Sequence, residues 1–426
     1  MGGAGGTAGA PNVAVATPVS TPAEDAVRAE IAAHGPIPFA RFMALALGHP
    51  DGGYYTGPHA RPTRGGDYLT APELHPIFGA ALARQLAEAW DRLGRPDPFT
   101  LVEYGAGAGT LALAVLAGLR EDRSSLADAL VYAPVELNRH RLAELAERAA
   151  SAGLPVLPPA GTSPLPGPVT GAVLANEFLD ALPVHAVEIR DGLTREIHVG
   201  VAADGAFEEL LLSPSTPAIE TRLDALAADG VSLAEGQRAE LCLGLDGWVA
   251  EVAATLAAGI VMVIDYGAGA RDLYGPRRRA GTLMTYRGHV ADGSPGAPYR
   301  EIGERDITAH VDTTTLARLL SQAGFEVLGD TTQAELLAGC GLEDLLERER
   351  GRVPDLAAAL LLRSAVMRLL DPRHLGGFRA LLAARGIAGL PPLRGLARRT
   401  APGGQDRSPA PGRPADGGAG AQSGDA

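Results

Sequence analysis

A run of alternating glycines, Glu103-Tyr104-Gly105-Ala106-Gly107-Ala108-Gly109, follows an apolar stretch and precedes a Leu/Ala-rich one. That spacing predicts a tight turn between a strand and a helix, where a ligand can approach backbone amides near the helix N-terminus. A dinucleotide turn needs Gly or Ala three residues after Gly107, and Thr110 stands there. The pattern is therefore GxGxG, suited to the amino-acid end of S-adenosylmethionine, which has no pyrophosphate to hold. Glu103, Gly105, Gly107 and Gly109 are candidate cofactor residues. Glu136, at the end of the next apolar run, is placed to accept both ribose hydroxyls. A glycine turn beside a surface glutamate would look the same in isolation. Strand, helix and second-strand acid together favour the cofactor.

The second chemically suggestive stretch is Asn176-Glu177-Phe178-Leu179-Asp180-Ala181-Leu182-Pro183, directly behind an apolar run. In doubly wound sheets the carboxyl ends of strands face the ligand crevice. Glu177, Asp180 and Asn176 are thus candidates to meet a methyl acceptor. A helix N-terminus with Asn176 as cap and acids in its first turn is the plainer alternative, compatible with the first.

The elements that must position these residues alternate. Strands are expected at Leu101–Tyr104, Leu130–Val135, Val169–Ala175 and Ile260–Asp265, with helices at Thr110–Arg120 and Arg139–Ala150. Such alternation predicts an α/β fold, a doubly wound, Rossmann-like sheet of the class I methyltransferase type. Val184–Leu212 alternates apolar and polar residues around Asp191-Gly192 and Asp204-Gly205, which predicts a β-meander insertion. Helices are expected at Glu24–Ala33, Phe39–Leu47, Ile77–Leu93 and Thr313–Ala323, a strand at Phe325–Leu328, and added helices over 334–395. Asp51–Pro76 reads as one long irregular loop. The expected division is 1–22 and 400–426 as disordered tails, 23–95 as N-terminal helices and covering loop, and 96–183 and 259–333 as core. Residues 184–258 are expected to form a β-rich insertion with helices, and 334–399 the C-terminal helices.

Composition narrows the class further. An apolar fraction of 46% in 426 residues supports a sizeable core. The net charge of −13 disfavours nucleic acid as a partner. No apolar run is long enough to span a bilayer, and no basic-then-apolar leader opens the chain, so no membrane role and a cytoplasmic location are expected. Cys242 and Cys340 stand alone, which argues against structural metal or disulfides. Every basic residue is arginine, so phosphate loops and Schiff bases that require lysine are excluded.

These motifs resemble the MidA-like family, the group that includes the mitochondrial complex I assembly factor with protein-arginine methyltransferase activity. The resemblance runs from about Gly35 to Leu337. It rests on Gly35-Pro36-Ile37, Pro50-Asp51-Gly52-Gly53-Tyr54-Tyr55, Gly66-Asp67-Tyr68-Leu69-Thr70-Ala71-Pro72-Glu73, Glu103 to Leu111 and Ala175 to Pro183. Asp265-Tyr266-Gly267, Gly281-Thr282-Leu283-Met284-Thr285-Tyr286 and Asp306 to Asp312 add later blocks. Departures include Ala106 and Ala108, where the family often has Pro and Arg, Ala71 for a serine, and Leu179 for a phenylalanine.

The resemblance implies transfer of a methyl group from S-adenosyl-L-methionine to an arginine ω-nitrogen of a protein substrate. Glu177, with Asp180 or Glu73, would hold the planar guanidinium. Asp67 and Thr70 would belong to a lid over the cofactor. His310 and Asp312 would either support the pocket or, the plainer role, form a structural hydrogen-bonded pair. A methyltransferase for a small molecule fits the same cofactor residues. So does a non-catalytic, S-adenosylmethionine-binding assembly factor, although that role gives no reason for the acidic strand end.

Overall fold

Six strands build the central sheet: β1 (Phe99–Tyr104), β2 (Leu130–Val135), β3 (Val169–Asn176), β4 (Leu256–Asp265), β5 (Glu326–Thr332) and β6 (Arg379–Arg385). In this computed structural model, which describes residues 20–57, 70–158, 165, 167–288, 290–387 and 392–400, they run in the order β5-β6-β4-β3-β1-β2. β1 to β4 are mutually parallel, and β6 is antiparallel to both β4 and β5. One reversed strand thus sits inside an otherwise parallel sheet. Successive residues of each strand enter opposite cores. Leu101, Leu174, Met262 and Leu382 pack under the helices Ile77–Arg92, Thr110–Glu121 and Leu356–Leu370. Val102, Val173, Val263 and Leu381 pack under Gly244–Thr255 and Thr313–Gln322. Both faces are covered, which is the condition for a parallel sheet.

β6 corrects the expectation of helices throughout 334–395. Helices do form at Gln333–Gly339, Leu342–Arg350 and Leu356–Leu370. Arg379-Ala380-Leu381-Leu382-Ala383-Ala384-Arg385, however, reads locally as good helix former. Its five interior residues are all buried, because the strand is inserted between β4 and β5 with a core on each side. Tertiary packing overrides propensity here. β5 also runs four residues past the expected end at Leu328.

A second sheet holds the insertion: His185–Arg190, Leu193–Val201, Phe207–Leu212 and Arg238–Leu241, joined by Ile37–Pro38 near the N-terminus. The Asp191-Gly192 turn has positive φ at both residues, 53° and 70°, as a two-residue hairpin requires. The helix Gly244–Thr255 packs on the main sheet, so the insertion ends before it and not at 258. Three strands were not expected from the sequence: Met284–Arg287, Val290–Asp292 and Asp306–Thr308 form a small sheet of their own.

At the N-terminus, Thr21 caps the helix Pro22–His34 and Ala23 is fully buried, so ordered structure begins inside the expected tail. Residues 1–19 and 401–426 lie outside the described residues. Within the expected loop Asp51–Pro76, residues 51–57 form turns and Ala71–Leu74 a short helix, while 58–69 are outside the described residues. No described helix is long and apolar enough to cross a membrane.

Candidate active site

A cavity of about 610 Å³ opens at the carboxyl ends of β1, β2 and β3. The glycine loop leaves β1 here. Gly107 has φ +53°, and a Cβ built on it would meet no atom within 4 Å, so the missing side chain is what keeps that wall open. Its N–H donates to Glu136 Oε2 at 2.8 Å, and Glu136 Oε1 accepts the Asn138 N–H at 2.8 Å. Glu136 thus props the glycine loop and the start of the helix Arg139–Ala152 while lining the cavity. The Asn138 amide reaches out to the Tyr55 carbonyl at 3.0 Å, tying the N-terminal segment over this edge. Glu103 also lines the cavity, but Tyr132 donates its hydroxyl to Glu103 at 2.5 Å, and burial pushes the Glu103 carboxyl up to about 8. Gly109 does not line it. A Cβ there would stand 3.0 Å from Leu145, so this glycine lets the helices after β1 and β2 pack closely.

The end of β3 supplies the acids. Glu177 has φ 52°, a left-handed conformation unusual for a residue with a side chain and a form of local strain. Its Oε1 accepts the Ala71 N–H at 3.0 Å and the Asn176 side-chain amide at 3.1 Å. Burial, then Asp265 and Asp306, push its carboxyl up to about 8. Both Asn176 and Glu177 line the cavity. The buried Asn176 Oδ1 has no hydrogen-bond partner among the described residues. Asp180 is only 7% exposed and lies behind the wall. Burial, then Asp265, Asp306 and Glu177, hold it well above the usual carboxylate range.

Two acids missed in the sequence complete this cluster. Asp265, the last residue of β4, accepts the backbone N–H groups of Phe178 (3.1 Å), Leu179 (2.8 Å) and Asp180 (3.3 Å) on one oxygen. Its other oxygen accepts its neighbour Tyr266 N–H at 2.8 Å. Asp306 accepts the Tyr55 hydroxyl at 2.7 Å. The strand-end rule that singled out Glu177 applies equally to Asp265, so that signal was present. For Asp306 there was none beyond its place in a matched block.

Asn176 is not a helix cap. The segment that follows is a single short turn, Leu179–Ala181, without a side-chain cap, and Asp265 takes its amides instead. Thr70 and Glu73 line the cavity from the N-terminal cover, whereas Asp67 lies outside the described residues. His310 and Asp312 do not form the expected pair and do not line this cavity. Arg278 Nη1 donates to His310 Nδ1 at 2.8 Å, and burial with that guanidinium pushes the imidazole down to about 4. Asp312 caps the helix Thr313–Gln322 through the N–H groups of Thr314 and Thr315. The two residues separate because Asp312 begins a helix while His310 faces the loop that carries Arg278. Among the described residues no group of three or more His, Cys, Asp or Glu is placed to hold a metal ion.

An open glycine cradle, a carboxylate at the end of β2 and an orphaned buried acceptor at the end of β3 fit the amino-acid and ribose parts of S-adenosylmethionine. On a parallel sheet with one reversed strand, they define a class I S-adenosylmethionine-dependent methyltransferase. Residues 81–331 match the family described as "Putative S-adenosyl-L-methionine-dependent methyltransferase", and the chain belongs to that family. A COG1565 superfamily member and likely methyl transferase from Burkholderia thailandensis, solved bound to S-adenosyl-homocysteine, is 33% identical. The alignment covers 89% of this chain and 98% of that one, with a TM-score of 0.76. The mitochondrial protein arginine methyltransferase NDUFAF7 homolog of Drosophila melanogaster is 30% identical, with 82% of each chain covered. Human NDUFAF7 is 27% identical, covering 84% of this chain and 83% of the relative.

Proposed function

We propose that this methyltransferase acts on an arginine side chain of a protein, with Glu177 holding the guanidinium. The observation that carries the reading is an acidic site to which no described residue brings a cation. Glu177, Asp180 and Asp265 sit together with no ion pair from any described residue. A fixed cation would draw these carboxyls down, and burial with mutual repulsion instead raises them. A planar, permanently charged guanidinium is the partner that such a carboxylate accepts best. The NDUFAF7 relatives, named as protein arginine methyltransferases, point the same way.

Bound S-adenosylmethionine supplies an electrophilic methyl on a sulfonium. Gly105, Gly107, Glu136 and Asn176 would hold it, with Thr70 on the covering side. Glu177 would orient the acceptor nitrogen along the line of attack, which supplies rate through positioning. As the new N–C bond forms, the S–CH3 bond would break with its electron pair left on sulfur, giving S-adenosylhomocysteine, and the acceptor nitrogen would lose one proton. A guanidinium beside Glu177 would favour its ionised form, and the carboxylate so held would accept that proton. The protein works in the cytoplasm in this reading.

The test is labelled methyl transfer to proteins of a matched lysate, with the modified residues mapped by mass spectrometry. Methylarginine should carry the label, and Glu177→Gln should lower transfer by about a hundredfold or more while still binding S-adenosylhomocysteine. Label on another residue type, or an undiminished Glu177→Gln, overturns the reading.

A further inference from the structure

The helix Leu356–Leu370 is apolar on two sides. Its inner side, Leu362, Ala365, Val366 and Leu369, is buried in the core on one face of the main sheet. Its outer side is apolar too, with Leu356, Leu360, Leu361 and Met367 exposed to 75, 55, 56 and 61%. Nine large hydrophobic side chains are exposed among the described residues, and this one helix carries four of them. At about 100° per residue, Leu356, Leu360 and Met367 fall within roughly 40° of one another and form a ridge. Arg363 borders the ridge on one side, and Arg368 lies beyond it on the other, beside Leu361. A helix that is apolar all round needs cover on both sides. The fold supplies one.

Charge selects the cover for the other side. The chain carries a net charge of −13, yet this helix has two arginines and no acid. Neither arginine joins an ion pair among the described residues. Arg350 and Arg373, near its two ends, are also exposed and outside any such pair. The acids at its ends are already engaged. Asp355 accepts the Ala358 N–H at 2.8 Å, and Asp371 accepts the Arg373 N–H at 2.9 Å and holds His374 at 2.9 Å. A second copy of the chain would bring four helix arginines and no helix acid to one interface, which is repulsive. Residues 401–426 contain no Leu, Ile, Val, Met or aromatic residue to lay on the ridge.

We infer that this face docks on an anionic lipid surface, with the apolar ridge among the upper acyl carbons and Arg363 and Arg368 at the headgroup phosphates. Arginine suits both parts, because its stem packs on apolar surface while its guanidinium reaches the phosphate layer. The helix lies along the bilayer and does not cross it: 15 residues extend about 22 Å, against a hydrocarbon core of about 30 Å. None of its residues lines the cofactor cavity, so docking and cofactor binding are separable by measurement.

The test is co-sedimentation of the full chain with vesicles of phosphatidylcholine, with and without roughly a quarter of phosphatidylglycerol. Wild type should bind the anionic vesicles about tenfold or more tighter than the neutral ones, and salt at about 0.5 M should remove most of that preference. Arg363→Gln with Arg368→Gln should lower affinity for the anionic vesicles by about tenfold or more. Leu360→Gln with Met367→Gln should abolish binding. Both double variants should bind S-adenosylhomocysteine as wild type does on calorimetry, which shows that they fold. In a Leu360→Trp protein the added indole should be quenched by brominated acyl chains, whereas the native Trp90 and Trp248 are buried. Absence of wild-type binding to anionic vesicles, undiminished binding by either double variant, or an unquenched indole overturns the proposal. So does a wild-type dimer in sedimentation equilibrium that Leu360→Gln with Met367→Gln dissociates, since a second copy then covers the ridge. An acidic amphipathic peptide that binds the helix where vesicles do not would assign the face to a protein partner and overturn it equally.

Discussion

The backbone N–H of Ala71 donates to the Glu177 carboxylate at 3.0 Å, across 106 residues of chain. The N-terminal cover is thereby fastened to the acid at the end of β3. Residues on both sides of that bond, Thr70 and Asn176, line the same cavity. The N-terminal cover and the acid at the end of β3 are thus mechanically joined, and a change at Glu177 is felt in the cover.

The raised Glu177 carboxyl makes stability depend on pH in a definite direction. Its value is about 8 in the folded chain against an ordinary 4.5. Between those values the folded state binds the extra proton, so stability falls as pH rises through the window and the loss is complete above about 8. Glu177→Gln cannot ionise and escapes this loss. Its melting temperature relative to wild type should therefore climb from pH 5 to about pH 8 and level off above that in ligand-free protein. A constant difference across that range would show that Glu177 is not buried as described.

Gly107→Val tests the cradle. Valine at φ +53° incurs backbone strain of about 1–2 kcal/mol, and its side chain enters the open wall. The variant should fold with a melting temperature lowered by several degrees. Its affinity for S-adenosylhomocysteine should fall by roughly tenfold or more on calorimetry. Undiminished affinity in a folded variant would place the cofactor elsewhere.

Glu136→Ala removes two acceptors at once, for the Gly107 and Asn138 amides, in addition to any bond to the ribose. Cofactor binding should weaken by about 1–3 kcal/mol, the range for a charged hydrogen bond. Glu136→Gln retains an acceptor for one of the amides and should fall between. If adenosine and 2′,3′-dideoxyadenosine bind the wild type equally, Glu136 serves the loop alone and does not read the ribose.

The sheet and its cofactor edge were legible in the sequence because their signals are local. Alternating glycines between an apolar run and a helix former can do little but turn, and Glu136 follows from counting to the end of the next strand. The strand ends that carry Asn176 and Glu177 follow from the same rule. His310 and Asp312 illustrate the opposite case: the family resemblance implied a pair. A helix begins directly after Asp312 and gives it the amides of Thr314 and Thr315, leaving His310 to Arg278.

What the sequence by itself determined was the parallel α/β order, the glycine loop and the acids Glu136 and Glu177 at the ends of β2 and β3. Only the tertiary structure decided that Arg379–Arg385 is a strand, since its Ala/Leu run has no preference that outweighs burial on two faces. It also decided that Asp265 gathers three amides behind Glu177, and that Tyr55, bonded to the buried Asp306, and the helix Gly244–Thr255 line the same cavity. Those contacts join segments roughly 80 to 250 residues apart, as the Phe178–Asp265 and Tyr55–Asp306 bonds do. Residue spacing encodes which side chains share a face of one element. Contacts between elements depend on how whole faces are buried together, and no local pattern of residue types carries that information.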